Sequence, residues 1–311
     1  MPITEAKTPS CRWLNITGAT AEDTQEVKFL RENFPYFHAL DIKECINTGQ
    51  RPKLEIYDRY AFLVLLFPIY NRKTREIESS EIDFFISQDY LITVHDNRLP
   101  IVDKIFNDFK AHNHSGSNGK CNILSMLIEV ITQQLNACMP MLDHVSMDLH
   151  SIEKLIFRGR EKEMVQEILI TRRNIVDFRK TMQAHKNSIK KLNVANRLLK
   201  ISQDPQSDEV INNAVEKSKE IWDNLEAFRE AIEALQATNE SLISFRLNDI
   251  MKTYTTISVI IFTLTLAVGI FTARLPHTPL VETPYGFYAL LAVLAIIGAG
   301  AVAIFKKMRW I

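Results

Sequence analysis

Two long runs of uncharged, mostly apolar residues near the end of the sequence limit what this chain can fold into. About 21 residues without Asp, Glu, Lys or Arg lie between Lys252 and Arg274, and about 23 lie between Glu282 and Lys306. A helix of roughly 20 such residues spans the hydrocarbon core of a lipid bilayer. The sequence therefore predicts a C-terminal hairpin of two transmembrane helices.

The charged residues beside the two runs predict how the hairpin lies in the membrane. Arg246 and Lys252 precede the first run, and Lys306, Lys307 and Arg309 follow the second. Lys and Arg accumulate on the cytoplasmic side of membrane helices. We therefore expect a multi-pass protein of the cell inner (plasma) membrane, with cytoplasmic N- and C-termini and an outward-facing loop between the runs.

The residues before the two predicted transmembrane helices are rich in charge. Their composition predicts a water-exposed region, which has two parts. Up to about Asn113 the pattern mixes helices and strands, and IDFFIS and YLITVH are typical of two strands joined at Gln88-Asp89. Two long helical patterns follow, Cys121–Phe157 and Glu163 to about Ile201. Because the connection between them is short, we expect an antiparallel helical hairpin.

A third helical pattern begins at Ser207, a favoured N-cap residue, and the chain has no Pro or Gly from Gln206 to Val268. One helix of about 60 residues, roughly 95 Å long, is therefore expected to run into the first membrane span. Its first half carries a coiled-coil spacing that we expect only neighbouring subunits to bury. The positions are Ile211, Ala214, Ser218, Ile221, Leu225, Phe228, Ile232, Leu235, Asn239 and Leu242.

The predicted organisation is an α+β cytoplasmic domain followed by long helices and a two-helix C-terminal transmembrane hairpin. Basic residues of the helical hairpin have acidic partners on its other helix, so we expect no nucleic-acid partner. In chain order the segments are 1–113 (α/β domain), 120–201 (helical hairpin), 207–252 (stalk helix), 253–273 (first span), 274–284 (outward loop), 285–305 (second span) and 306–311 (basic cytoplasmic tail).

A stripe of mostly polar and small residues follows one face of the first span. Such a stripe either lines a water path or packs closely against another helix, and the spacing supports both interpretations. The second span has no polar stripe, so any pore would be lined by the first, with apolar constrictions at Met251, flanked by Tyr254, and at Phe262. The stripe consists of Asn248, Met251, Thr255, Ser258, Phe262, Thr265 and Gly269.

Five stretches of the sequence together resemble the CorA family of divalent-cation transporters. They are RWLNITG, QRPKLEIYDRYAFLVLLFPIY, SEIDFFISQDYLITVHDNRLPIVDKIF, RLNDIMKTYTTISVIIFTLTLAVGIF and the ending FKKMRWI. The resemblance covers most of the chain and implies a funnel-shaped homopentamer in which the first spans line a central pore. It also implies that the basic tail, Lys306, Lys307 and Arg309, forms a ring around the pore at the inner membrane surface.

The sequence departs from this family at the outer end of the first span. The family carries Gly-Met-Asn there, whereas an alignment without gaps from Met251 places Thr272, Ala273 and Arg274 at those positions. Arg274 either enters the mouth of the pore, where five copies would disfavour divalent cations, or extends to the lipid headgroups. Both placements remain open at this point.

The resemblance implies a channel or transporter for Mg²⁺, with Zn²⁺, Co²⁺ and Ni²⁺ as further candidates. The alternative is a pentameric membrane protein with lost or altered conduction, because Gly-Met-Asn is missing. We expect no cofactor other than the divalent cation, which acts as transported and regulatory ligand. The candidate regulatory ligands on the stalk are Asp208, Glu209 and Asp223.

An enzymatic function is not expected, because no nucleophile–base pair, phosphate loop or metal motif occurs in the sequence. His144 and Asp148 lie one helical turn apart, which is more typical of a solvated helix face than of a metal site. The four cysteines lack metal-binding spacing, and a cytoplasmic domain would keep them as reduced thiols.

Overall fold

The computed structural model describes residues 3–8, 11–18, 24–46, 51–114, 122–273 and 285–308. The chain divides into two compact units, Met1–Gln236 and Ala237–Ile311. The first unit holds one β-sheet and most of the helices, and the second consists of the remaining part of the long helix and the last helix.

A six-stranded sheet organises the first unit, with the strand order β1-β2-β6-β5-β4-β3. The β2–β6 pair is parallel and the other pairs are antiparallel. The predicted hairpin at Gln88-Asp89 is confirmed, since Ser87 N donates to the Tyr90 carbonyl over 3.0 Å. The strands are β1 Ile3–Lys7, β2 Arg12–Thr17, β3 Lys53–Ile56, β4 Ala61–Asn71, β5 Glu76–Ile86 and β6 Tyr90–His95.

Eight helices occur in the described residues, and those of the first unit cover both faces of the sheet. Helices α1 and α2 pack on one face, while α3 to α7 contribute to the core on the other. Burial on both faces explains why β4 is apolar along most of its length. The helices are α1 Gln25–Asn33, α2 Ala39–Glu44, α3 Pro100–His114, α4 Ile123–Ile156, α5 Glu161–Met182, α6 His185–Leu199, α7 Ser207–Thr272 and α8 Gly286–Lys307.

The second arm of the helical hairpin is two helices rather than the single predicted one. Gln183-Ala184 form a turn between α5 and α6 in which both residues keep right-handed backbone angles but the regular helix is interrupted. Beyond the break, His185 is fully buried with its ring against Phe67 of β4, at a centroid distance of 5.2 Å. Helix α5 packs on β4 and β5, whereas α6 packs on β3 and β4. Apolar spacing continued through the break, so the sequence pattern alone did not reveal it.

Helix α7 is continuous over 66 residues, but the expectation that only neighbouring subunits bury its apolar spacing is wrong. Most of these side chains are buried inside a single chain, in the core formed with α4, α5 and α6. A spacing of 3.5 residues shows that one helix face is covered, without showing which chain covers it. The buried positions are Ile211, Ala214, Ser218, Ile221, Leu225 and Ile232, together with Asn239 beyond the first unit.

The expectation of reduced thiols is wrong for Cys11. Cys11 is disulfide-bonded, whereas Cys45 and Cys138 are free and buried. Sequence spacing does not show which sulfur atoms folding brings within bonding distance.

Candidate functional site

The second unit contains the C-terminal part of α7 and the helix α8, and both are long and apolar enough to cross a membrane. Their apolar side chains are mostly exposed within one chain, including Phe262, Ile296 and Tyr288. Large exposed apolar surfaces mark contacts with a membrane or another protein. Exposure and composition together identify the pair as transmembrane helices.

One face of α7 in this unit is covered. Thr256 and Ala267 are buried on it, and Ile260 and Leu264 are half-buried. A Cβ added to Gly298 of α8 would lie 4.0 Å from Leu264 Cδ2, so Gly298 faces this side of α7. A small residue allows two membrane helices to approach closely. The covered face of α7 is therefore the face that packs on α8.

The predicted stripe lies on the opposite face. All seven stripe residues, from Asn248 to Gly269, are exposed within one chain, with Phe262 79% and Met251 62% exposed. At about 100° per residue, the centre of the stripe is roughly 180° around the helix from the covered face. Packing against α8 therefore does not account for the stripe. The face is left for lipid, for a water path or for further copies of the chain.

Two threonine side chains give this face a defined hydrogen-bonding character. Thr265 Oγ1 donates to the Ile261 carbonyl over 2.8 Å, and Thr272 Oγ1 donates to the Val268 carbonyl over 3.0 Å. A hydroxyl has one proton and two lone pairs, so an oxygen whose proton is bonded to the backbone can still accept hydrogen bonds. Both side chains are exposed. They present acceptor oxygens on the outside of the helix.

The structure describes only part of the predicted mouth and basic ring. Thr272 is the last residue of α7 and Ala273 follows it, both exposed. Lys306 and Lys307 are exposed in the last turn of α8. Arg274, the loop 274–284 and Arg309 lie outside the described residues.

The candidate regulatory carboxylates are not brought together within one chain. Asp208 Oδ2 pairs with Arg197 Nη2 at 2.8 Å, while Glu209 and Asp223 are exposed. Asp208 and Asp223 are separated along one helix by roughly 22 Å. Within the described ranges, no three His, Cys, Asp or Glu side chains are placed to hold a metal ion, and this covers His144 and Asp148.

A buried acidic cluster beneath α2 was missed by the sequence analysis. Asp83 and Glu81 of β5 are buried on the sheet face that α2 covers, near Cys45 and Asp41. Burial raises the pKa of Asp83 well above its usual range, and the charge of Glu81 adds to this effect. The available signal was two acids at alternate positions of the otherwise apolar strand SEIDFFIS. Asp83 therefore holds its proton at a pH where an exposed aspartate has lost it.

Comparison with known proteins agrees with this architecture. Residues 10–307 match the sequence profile of the family described as CorA-like Mg²⁺ transporter protein. The chain is 25% identical over 312 residues to the cobalt/magnesium transport protein CorA of Thermotoga maritima, which covers 100% of this chain and 86% of that protein.

Solved structures show the same fold. The complete structure of the CorA magnesium transporter from Methanocaldococcus jannaschii has a TM-score of 0.83 at 17% identity, covering 99% of this chain and 98% of that one. The full-length CmaX protein has a TM-score of 0.73 at 15% identity, covering 97% of this chain and 90% of that one. The profile match extends from β2 to the end of α8, through both units. The chain is a membrane protein that belongs to the CorA family of metal-ion transporters.

Proposed function

We propose that five copies of this chain form a central pore that carries divalent metal cations across the plasma membrane. The observation that supports this is the exposed stripe on α7, opposite the face that packs on α8. In a ring of five subunits, α8 lies outside and the stripe lines the axis. The folded unit before the membrane helices and both termini are then cytoplasmic, in agreement with the basic residues Lys306 and Lys307.

The chemistry of the stripe favours hydrated cations over anions. The water molecules around Mg²⁺ point their hydrogens outward, and Mg²⁺ loses those waters reluctantly. Rings of acceptor oxygens at Thr265 and Thr272 suit such a hydrated ion, whereas an anion needs donors. Zn²⁺, Co²⁺ and Ni²⁺ carry the same charge and remain candidates. In the proposed pore, Met251 and Phe262 lie toward the axis, with Tyr254 beside Met251, where apolar rings can close a pore by excluding water.

A second candidate function is a pentamer with lost or altered conduction. It is favoured by Thr272-Ala273-Arg274, which stands where the alignment places the family's Gly-Met-Asn. Five Arg274 side chains at the mouth would repel divalent cations. A flux assay in liposomes across Mg²⁺, Zn²⁺, Co²⁺ and Ni²⁺ tests both candidates, because uptake of any of these metals requires conduction.

We expect Thr265→Val to reduce divalent uptake into liposomes by roughly three- to tenfold, which corresponds to the loss of about one hydrogen bond to the passing ion's water shell. Thr263→Val is the matched control. The Thr263 hydroxyl makes the same kind of bond, to the Val259 carbonyl at 2.8 Å. By helix geometry it lies roughly 120° around α7 from the stripe. Equal loss of uptake in both variants would show that the stripe does not line the proposed pore.

We expect Arg274→Asn to leave metal selectivity unchanged in a protein whose uptake is already measurable, because a long basic side chain at the end of a span extends to the headgroups. Metal-sensitive dye in liposomes reports uptake at low and high ionic strength. A silent native protein and an active variant, with an effect that shrinks at high salt, would instead place five arginines in the mouth and support altered conduction.

A further inference from the structure

The turn between α4 and α5 presents an aromatic side chain to its surroundings. Phe157, the residue after the last one of α4, is 68% exposed. Three backbone bonds build the turn: Arg158 N to the Leu155 carbonyl at 3.2 Å, Gly159 N to Ile156 at 3.1 Å and Arg160 N to Leu155 at 3.1 Å. Gly159 has φ 87°, a conformation that favours glycine. The turn is thus a defined structure that holds Phe157 outward.

Basic residues flank Phe157 in the sequence. Lys154, Arg158 and Lys162 are exposed on both sides of the turn. Of the acidic residues close to them in the sequence, Glu163 pairs with Arg160 and Glu161 is buried, while Glu153 is exposed and lies 3.7 Å from His150. The turn therefore carries an exposed aromatic ring that three exposed basic residues flank in the sequence. We call Lys154, Phe157, Arg158 and Lys162 the basic–aromatic turn.

The position of the basic–aromatic turn within the first unit follows from the contacts of α5 with α7. Arg179 pairs with Glu226, and Arg172 Nη1 donates to Gln236 Oε1 at 3.2 Å. Helix α5 therefore runs antiparallel to this part of α7. The start of α5 is roughly 16 Å beyond Arg172 along the helix axis. The turn thus lies at the end of the first unit from which α7 leaves it.

We propose that the basic–aromatic turn binds the surface of the membrane, with the basic side chains on the phosphates of anionic lipids and Phe157 among the headgroups. Aromatic side chains concentrate at the membrane interface. Each Lys or Arg near an anionic leaflet strengthens binding roughly fivefold. We infer that anionic lipid is the ligand because its charge complements the basic side chains and because the turn lies at the end of the unit from which α7 leaves it. The inference rests on the proposed cytoplasmic placement of this unit.

The test uses the full-length protein in nanodiscs, with a fluorophore on Phe157→Cys and lipids whose acyl chains carry bromine, which quenches by contact. Leu198→Cys is the matched control, because Leu198 is 66% exposed on α6, away from the turn. We expect severalfold stronger quenching at position 157 than at 198 when phosphatidylglycerol is present. Adding Arg158→Gln to the labelled protein should weaken the membrane contact roughly fivefold.

Quenching at position 157 equal to that at 198 in the anionic nanodiscs would overturn the proposal. So would a contact that persists unchanged in phosphatidylcholine alone, because the basic residues would then play no part. Metal uptake by the same labelled proteins in liposomes is measured in parallel. Normal uptake without quenching would reject membrane binding by the turn and leave the proposed conduction intact. Quenching without uptake would reject the proposed conduction and leave membrane binding intact.

Discussion

Leu225→Asp is expected to unfold the unit formed by residues 1–236, and not merely to separate subunits. Leu225 has no exposed surface and belongs to the core that α7 shares with α4, α5 and α6. Removing a buried leucine costs about 2–5 kcal/mol, and an unpaired carboxylate in its place adds a large desolvation cost. Since domains are stable by about 5–15 kcal/mol, the substitution removes much or all of this stability.

Limited proteolysis of the full-length protein in detergent measures this effect, since an unfolded unit is cut at many sites within α4 to α7. Ala227→Asp is the control, because Ala227 lies on the exposed side of the same helix two residues away. We expect the control to resist proteolysis like the native chain. A Leu225→Asp protein that is equally resistant but runs as a monomer in native mass spectrometry would show instead that α7 is buried between subunits.

Asp83→Asn is expected to stabilise the docking of α2 at neutral pH and to remove much of its pH dependence. Asp83 is 3% exposed and faces the charges of Glu81 on its own strand and of Glu44 on α2. Asp41 of α2 lies near Cys45. Lys53 and Glu55 of β3 and the Cys45 thiol complete the charged and titratable surroundings, and Lys53 pairs with Glu44 at 2.6 Å. The side-chain amide of asparagine has the shape of the protonated acid but does not titrate in this pH range.

The direction of the pH effect follows from proton binding. The pKa of Asp83 is raised in the folded state, so the folded chain binds more protons than the unfolded chain above the usual value of 3.8. Stability therefore falls as the pH rises from about 4 through the folded-state pKa. Below that range both states are protonated, and the contribution of Asp83 is fully present. The asparagine variant does not lose this contribution at higher pH.

Hydrogen exchange of the α2 amides, Ala39–Glu44, measures the effect in the full-length protein at pH 4 and pH 8, after correction for intrinsic exchange rates. We expect native α2 to open more readily at pH 8, and the Asp83→Asn protein to be protected at least tenfold better there, corresponding to about 1.4 kcal/mol. Asp58→Asn, at an exposed position, is the control and should behave like the native chain. Faster exchange in Asp83→Asn would mean that α2 depends on the charged form.

The acidic cluster is therefore expected to make the docking of α2 in the unit formed by residues 1–236 depend on pH. Helix α2 also carries Asp41, which accepts hydrogen bonds from Tyr60 at 2.7 Å and Tyr57 at 3.0 Å. Burial raises the pKa of Asp41 as well. Asp83 differs, because its Oδ1 is buried without a hydrogen-bond partner, and replacing this acid is therefore expected to increase stability.

The sequence by itself determined the order of the main segments. Uncharged runs bounded by Lys252 and Lys306 define membrane helices through their length alone, because a bilayer has a fixed thickness. The absence of Pro and Gly allowed one long α7, and the runs IDFFIS and YLITVH on either side of Gln88-Asp89 indicated the β5–β6 hairpin. Each of these features is set by residues that are close together in the chain, so the sequence pattern predicts it.

Only the tertiary structure decided what covers each face. The spacing of Ile211, Ile221 and Leu225 is the same whether another subunit or α4 of the same chain buries them. An apolar spacing shows that a helix face is buried, but not which chain covers it. The break at Gln183-Ala184 likewise depends on how α5 and α6 meet a sheet that is distant in sequence. The sequence had already offered the stripe on α7 as a pore lining or a packing face, and the structure added that α8 packs on the opposite face.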